Sequence, residues 1–362
     1  MNNVLDSQVS RRKALIGASA LAAAGAIVGA GANPHSLVGE SASAVTPPGT
    51  YGQEMGLAVP ASDIMWVKET AERKRRLQLM KETGVKYIRT DLWLDSLTWD
   101  NGNFVDYASI DGVVNDLRAY GFTVVFVVHT LPPFAGVSVN RTGPNNQRQR
   151  DIYTDFITKM VKRYKGKVKY WEIWNEENLA DFWGVPNWKN YALLLKQVYP
   201  AIKKIDPTAV VISGGTGGKT KPIDIDPIQF LTNLYKYGEL KKYTDAVAIH
   251  AYANMDALNI GEFYILDKYR KVMDDHGDRT KKLWITEGGA KVVENSKTAT
   301  EANQTGMMPQ LATAWSKVHD RGPMMWFSLF DTEGYGLMKP DKEKRTKRPS
   351  YYTLQAITAH KV

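Results

Sequence analysis

Lys169-Tyr170-Trp171-Glu172-Ile173-Trp174-Asn175-Glu176-Glu177-Asn178 is an apolar run that ends abruptly in an amide and carboxylates. Tyr170, Trp171, Ile173 and Trp174 favour a pleated, half-buried surface, so the stretch reads as a strand that delivers an acid. The polar cluster lies at the strand's C-terminal end, where parallel α/β sheets and barrels gather their chemistry. A second stretch repeats the pattern. Lys282-Leu283-Trp284-Ile285-Thr286-Glu287-Gly288-Gly289 runs apolar and β-branched into one carboxylate, after which two glycines let the backbone turn away. A working pair needs the rest of the chain to bring Glu176 and Glu287 together.

Outward from these strands, short apolar runs alternate with longer helical ones, which marks βα units rather than a sandwich. The other predicted strands are Met55–Val59, Val85–Arg89, Phe122–Val128, Ala209–Ser213, Ala246–His250 and Met324–Phe330. Predicted helices run over Val67–Thr83, Ile110–Tyr120, Arg148–Tyr164, Tyr191–Ile205, Ile228–Tyr237, Phe263–His276 and Asn303–His319. Eight units in about 310 residues fit a single (β/α)8 TIM barrel over residues 45–362, of fold class α/β. No linker rich in Pro, Ser or Gly divides it. Gly214-Gly215-Thr216-Gly217-Gly218 lacks phosphate-loop spacing and reads as a flexible barrel loop.

Trp174-Asn175-Glu176 resembles the acid/base signature at the end of the fourth barrel strand in clan A glycoside hydrolases, and Thr286-Glu287 resembles their nucleophile at the end of the seventh. The longer run Trp174 to Leu179, followed by Phe182-Trp183, is most similar to glycoside hydrolase family 39, whose usual run has proline where this chain has Glu177. Family 5-like cellulases are the second resemblance. The likeness implies cleavage of β-linked glycans with retention, Glu176 protonating the leaving oxygen and Glu287 attacking the anomeric carbon. It further implies that Asn175 holds the sugar 2-hydroxyl, that Tyr252 bonds to the nucleophile, that His250 lines the sugar site and that Trp326 forms an aromatic floor.

Each candidate also has a plainer reading. Arg89 would sit near the nucleophile and keep it ionised, or form an ion pair in the core. His129 would touch a sugar hydroxyl or be a satisfied core group. Strand alternation puts Glu172, Trp174 and Glu176 on one face, with Glu172 roughly 13 Å deeper as a paired structural carboxylate. Glu177 reads as a rim residue. Trp93, Trp99, Phe134, Trp183, Trp188 and Tyr335 fall in loops or their edges on the catalytic side, which favours an open groove and cleavage within chains. The long loop Leu131 to Asn146 could instead close one end, as an exo-acting β-glycosidase requires. A non-catalytic polysaccharide-binding barrel would keep the aromatics but leave both carboxylates without a chemical reason.

Hydrophobic residues at 43% and charged residues at 23% indicate a globular chain with a sizeable core. The formal charge of +9 suits an acidic partner, such as an acidic polysaccharide at Lys339 to Arg348, or is simply a solvated basic surface. Nothing points to nucleic acid. Ser10-Arg11-Arg12-Lys13 before the apolar stretch Ala14 to Ala32 looks like a twin-arginine export signal ending at Ala42-Ser43-Ala44, with an uncleaved anchor as the alternative. The expected location is therefore outside the cytoplasm. No cysteine is present, which excludes disulfides and thiolate metal sites. The six histidines include no pair at metal-ligand spacing, so neither a metal nor a cofactor is expected.

Overall fold

The computed structural model describes residues 54–67, 69–137, 142–253, 264–331, 333–341 and 345–359. Strands β1 (Met55–Ala58), β2 (Tyr87–Trp93), β3 (Thr123–His129), β4 (Tyr170–Ile173), β5 (Val210–Ser213), β6 (Ala246–Tyr252), β7 (Lys282–Gly289) and β8 (Arg321–Phe327) are all parallel. They pair in chain order, and β8 returns to β1, so the sheet closes into a TIM barrel. Helices α1 (Thr70–Glu82), α2 (Tyr107–Ala119), α3 (Gln147–Tyr164), α4 (Trp188–Ile205), α5 (Pro227–Lys236), α6 (Tyr264–Asp275), α7 (Glu301–Ser316) and α8 (Pro349–Thr358) follow the strands in turn. Side-chain oxygens of Asp106, Asn146 and Thr300 accept the otherwise orphaned N–H groups of Ser109, Gln149 and Asn303 at three of the helix starts.

The strands read as continuous apolar runs because both their faces are covered. Val124, Phe126 and Val128 of β3 point out into the layer beneath the helices, whereas Val125 points into the barrel with Ile212, Ala248 and Met325. Tyr87, Tyr170 and Trp284 pack ring against ring inside, with centroids 5.1 to 6.1 Å apart. Tyr87 and Tyr170 begin their strands, so this plug fills the N-terminal half of the barrel and leaves side chains near the C-terminal ends to form the mouth.

Two strands differ from the sequence expectation in ways that matter. β2 extends through Arg89, Thr90 and Asp91 to Trp93, matched residue for residue with Thr123 to His129 of β3. β8 begins and ends three residues earlier than expected, because Arg321 pairs with Leu283 and Met324 with Ile285. After β2 the chain makes a short antiparallel ribbon, Thr98–Trp99 against Phe104–Val105.

Within the basic stretch Lys339 to Arg348, the described cations are paired. Lys339 pairs with Glu301 at 3.1 Å, Lys347 with Glu82 at 2.9 Å, Arg348 with Asp331 at 2.7 Å, and Arg345 with Glu72. Lys342 and Lys344 lie outside the described residues, as does the whole of residues 1–44. No helix among the described residues is long and apolar enough to cross a membrane.

Candidate active site

β4 stops at Ile173, and the chain then winds sharply: Trp174 has φ 72° and Glu176 φ 47°. Left-handed backbone costs a non-glycine residue about 1–2 kcal/mol, and here it breaks the strand's alternation. Trp174 consequently leaves the barrel, its indole N–H donating to the Phe182 carbonyl at 3.0 Å. Asn175 turns inward instead. The expectation that Glu172, Trp174 and Glu176 share one face is thus corrected: Glu172 and Asn175 meet one guanidinium, and Glu176 stands at the mouth.

That guanidinium is Arg89. Its Nε and Nη2 donate to the two oxygens of Glu172 at 2.6 and 3.2 Å, Nη2 also donates to Asn175 Oδ1 at 2.7 Å, and Nη1 donates to Glu287 Oε1 at 2.6 Å. Glu172, fully buried, accepts further from the Gly215 N–H and the Thr286 hydroxyl, both at 3.0 Å. Every oxygen of this buried carboxylate is therefore bonded, as burial of a charge requires. With Oδ1 of Asn175 held by Arg89, its amide nitrogen is the donor left for a ligand.

β7 delivers Glu287 through a bulge. Ile249 pairs with Ile285 but His250 pairs with Glu287, so Thr286 is an extra residue against β6. Consecutive strand residues normally face opposite ways, and the bulge lets Thr286 reach Glu172 while Glu287 faces the mouth. Tyr252 donates to Glu287 Oε2 at 2.5 Å. His250 Nδ1 lies 2.9 Å from Glu176 Oε1 and 3.6 Å from Glu287 Oε2. Ligating atoms of Glu176, His250 and Glu287 all fall within 4.8 Å of one another. This donor set has metal-ligand spacing, yet Arg89 already supplies a cation to Glu287 and Tyr252 fills its second oxygen.

The two acids differ in environment. Burial pushes the Glu176 carboxyl above its ordinary value, and the Glu287 charge adds to this against the pull of His250 and Arg89. Burial also opposes the Glu287 charge, but His250, Arg89 and the Tyr252 hydroxyl outweigh it and hold that carboxyl low. For His250, burial disfavours the imidazolium, and the negative charge of Glu287 with the hydrogen bond to Glu176 more than compensates. The two carboxyls are thus pushed in opposite directions, Glu176 toward the acid form and Glu287 toward the carboxylate.

The glycine run after β5 is a fitted wall rather than a flexible loop. A Cβ on Gly215 would lie 2.3 Å from the His250 ring, and one on Gly217 would lie 2.6 Å from Glu176 Oε1. The run is tied down by bonds from Glu176 N–H to the Gly215 carbonyl and from His250 N–H to the Thr216 carbonyl, at 3.0 and 3.1 Å. The absence of side chains here is what lets His250 and Glu176 pack side by side.

Three sequence expectations are corrected. Trp183 is fully buried, 5.2 Å from Trp174 and 5.8 Å from Tyr191, with its N–H on Asn145 Oδ1 at 3.1 Å, so it is a core residue and not a sugar platform. Trp326 is also buried, facing the layer beneath the helices. Its neighbour Phe327 faces the barrel interior and lies 6.2 Å from Tyr252 and 5.9 Å from Tyr335. Period-two alternation along Met325, Trp326 and Phe327 was the signal that could have chosen Phe327. Glu177 is 1% exposed rather than on the rim, and neither of its oxygens has a hydrogen-bond partner among the described residues. His129 is buried, its Nε2 3.1 Å from Asp91 Oδ1, with Trp93 edge-on at 5.9 Å. Asp91 lies beyond the strand end expected at Arg89, and only the continuation of β2 to Trp93 brings it beside His129.

Comparison with known proteins follows from this geometry. A β-xylosidase of Caldicellulosiruptor saccharolyticus is 26% identical over 170 residues, 42% of this chain and 34% of that one. The chain therefore spans about a third of the length of this curated relative. A family 39 glycoside hydrolase from Bacteroides cellulosilyticus WH2 superposes with a TM-score of 0.64 at 22% identity, over 84% of this chain and 63% of that chain. A monomeric β-xylosidase from Caulobacter crescentus CB15 gives 0.64 at 18% identity, over 87% and 69%. At such identities the two structures establish the fold alone, that of a TIM barrel. Residues 48–326, spanning both acid-bearing strands, match the family model for cellulase, and the chain belongs to that family, glycosyl hydrolase family 5.

Proposed function

We propose that this protein is a retaining glycoside hydrolase of β-linked glycans, with Glu176 as acid/base and Glu287 as nucleophile. The observation that supports this best is the approach of the two carboxyl groups, with oxygens within 4.8 Å across the barrel mouth. Retaining enzymes hold their carboxyls about 5–5.5 Å apart, whereas inverting ones leave about 6.5–9.5 Å for a water. His250 Nδ1 lies against Oε1 of Glu176, so Oε2 is the oxygen left to carry the proton toward the glycosidic oxygen. As the leaving group takes that proton, Glu287 forms a bond to the anomeric carbon. Glu176, now ionised, accepts a proton from water, which displaces Glu287 and frees the sugar. Arg89 and Tyr252 hold the nucleophile ionised and oriented, and Asn175 offers its amide N–H to the sugar hydroxyl beside the reacting carbon.

Two substitutions test the assignment. Glu287→Gln removes the nucleophile at constant volume and abolishes turnover while binding persists. Glu176→Ala is rescued by azide on activated aryl glycosides, because a small anion fills the vacated space and attacks the glycosyl-enzyme. Undiminished hydrolysis by both variants refutes the mechanism.

The family's description as cellulases favours attack within chains, and the β-xylosidases among the relatives favour removal of terminal sugars. We take the endo reading first; a spread of intermediate oligosaccharides in early digests supports it, and monosaccharide from the first minutes supports the second. Nothing in the paired basic residues favours an acidic substrate. Residues 1–44 we read as a twin-arginine export signal. Replacing both Arg11 and Arg12 by lysine should retain the precursor in the cytoplasm, and unchanged export would remove this reading.

A further inference from the structure

Outside the mouth, the ribbon Thr98–Val105 and the outer face of α3 line an open cavity of about 370 Å³. Its wall mixes Phe134 with the amides of Asn101 and Asn103, the carboxylates of Asp151 and Asp155, and the ammonium of Lys159. None of these side chains bonds to Arg89, Glu176, His250 or Glu287, so the cavity is separate from the catalytic cluster. The volume lies at the lower end of the range for small-ligand sites, about 300–1,000 Å³.

We propose that this cavity is a second glycan-binding site, which holds a neutral segment of a polysaccharide chain beside the barrel mouth. Two observations carry it. The wall offers donors, acceptors and an aromatic ring within one concavity, which suits a ligand whose hydroxyl groups both donate and accept and whose C–H face packs on rings. Two carboxylates stand against one ammonium, with Lys159 already paired to Asp155 at 2.7 Å, so an anionic sugar is disfavoured. The ribbon follows β2, which bears Arg89, after a single helical turn over Leu94–Leu97, so a chain held there stays near the mouth. The proposal rests on the glycosidase reading only for the source of the glycan.

The test is affinity electrophoresis of the full chain through gels containing hydroxyethyl cellulose, arabinoxylan or galactomannan, in the Glu287→Gln background so that the matrix is not digested. Ile152→Trp fills the cavity from α3, and Asp155→Ala removes a polar group whose side chain is 61% exposed and whose loss does not threaten folding. The expected result is retardation by at least one polymer, weakened threefold or more by each substitution. In the active enzyme the same substitutions leave kcat/KM on small aryl β-glycosides within twofold and raise KM on the retarding polymer. Retardation unchanged by both substitutions, or retardation by no polymer, overturns the proposal. Failure of the glycosidase reading looks different: retardation persists while neither aryl glycosides nor polymers are cleaved.

Discussion

Glu177 presents the sharpest quantitative test of the structure. It is 1% exposed, neither oxygen has a hydrogen-bond partner among the described residues, and a Cβ on Gly214 would lie 2.0 Å from its Oε2. Burial pushes its carboxyl well above the ordinary value of 4.5, and the neighbouring Glu172 and Glu176 add to the shift. The other titratable groups facing it are the hydroxyls of Tyr153, Tyr191 and Tyr269, all likewise raised by burial. The folded chain therefore holds this proton to a higher pH than the unfolded chain does. Stability is full below the ordinary carboxyl range and falls as pH rises, by about 1.4 kcal/mol per pH unit, until the folded carboxyl itself ionises. Glu177→Gln keeps the shape and removes the proton. The amide still lacks partners, which costs about 1–3 kcal/mol at every pH, so the offset between variant and wild type is not the informative quantity. The slope is. Urea unfolding of both proteins at a series of pH values above 4.5 should give a stability difference that shifts in favour of the variant, by up to about 1.4 kcal/mol per unit while the folded carboxyl stays protonated, since all other titrating groups cancel. A difference that stays flat with pH would refute the claim that Glu177 is buried as a neutral acid.

Glu172→Gln leaves Arg89 paired with Glu287 but weakens its bonds to residue 172, and should destabilise the protein by about 1–3 kcal/mol in chemical denaturation. Gly217→Ala places a methyl 2.6 Å from Glu176 Oε1, so kcat should fall at least tenfold with KM little changed and secondary structure by circular dichroism unaltered. With Glu287 held below 4.5 and Glu176 above it, kcat/KM should be bell-shaped, its acid limb set by Glu287 and its alkaline limb by Glu176. Glu176→Gln, assayed on an aryl glycoside whose leaving group needs no acid, should lose the alkaline limb. Trp183→Phe should lower the unfolding temperature through lost packing and the lost bond to Asn145, without changing sugar binding.

The sequence by itself determined the repeating units, the closed parallel barrel and the two strands that deliver Glu176 and Glu287. These are local properties: apolar period, glycine stops and the change from apolar to charged residues are all written within a few positions of one another. Arg89, Asn175, His250 and Tyr252 were legible for the same reason, each lying at or near the end of a strand. Only the tertiary structure decided which way those ends point. The left-handed turns at Trp174 and Glu176 sent one tryptophan into the core, the bulge at Thr286 brought two consecutive residues to the same side, and an earlier start of β8 exchanged Trp326 for Phe327. Glu177 and the glycines after β5 could not be read from their neighbours in sequence, because what constrains them is the close approach of β4, β5 and β6 at the mouth. Direction at a strand end depends on one irregular residue and on contacts from distant strands, and a periodic pattern carries neither.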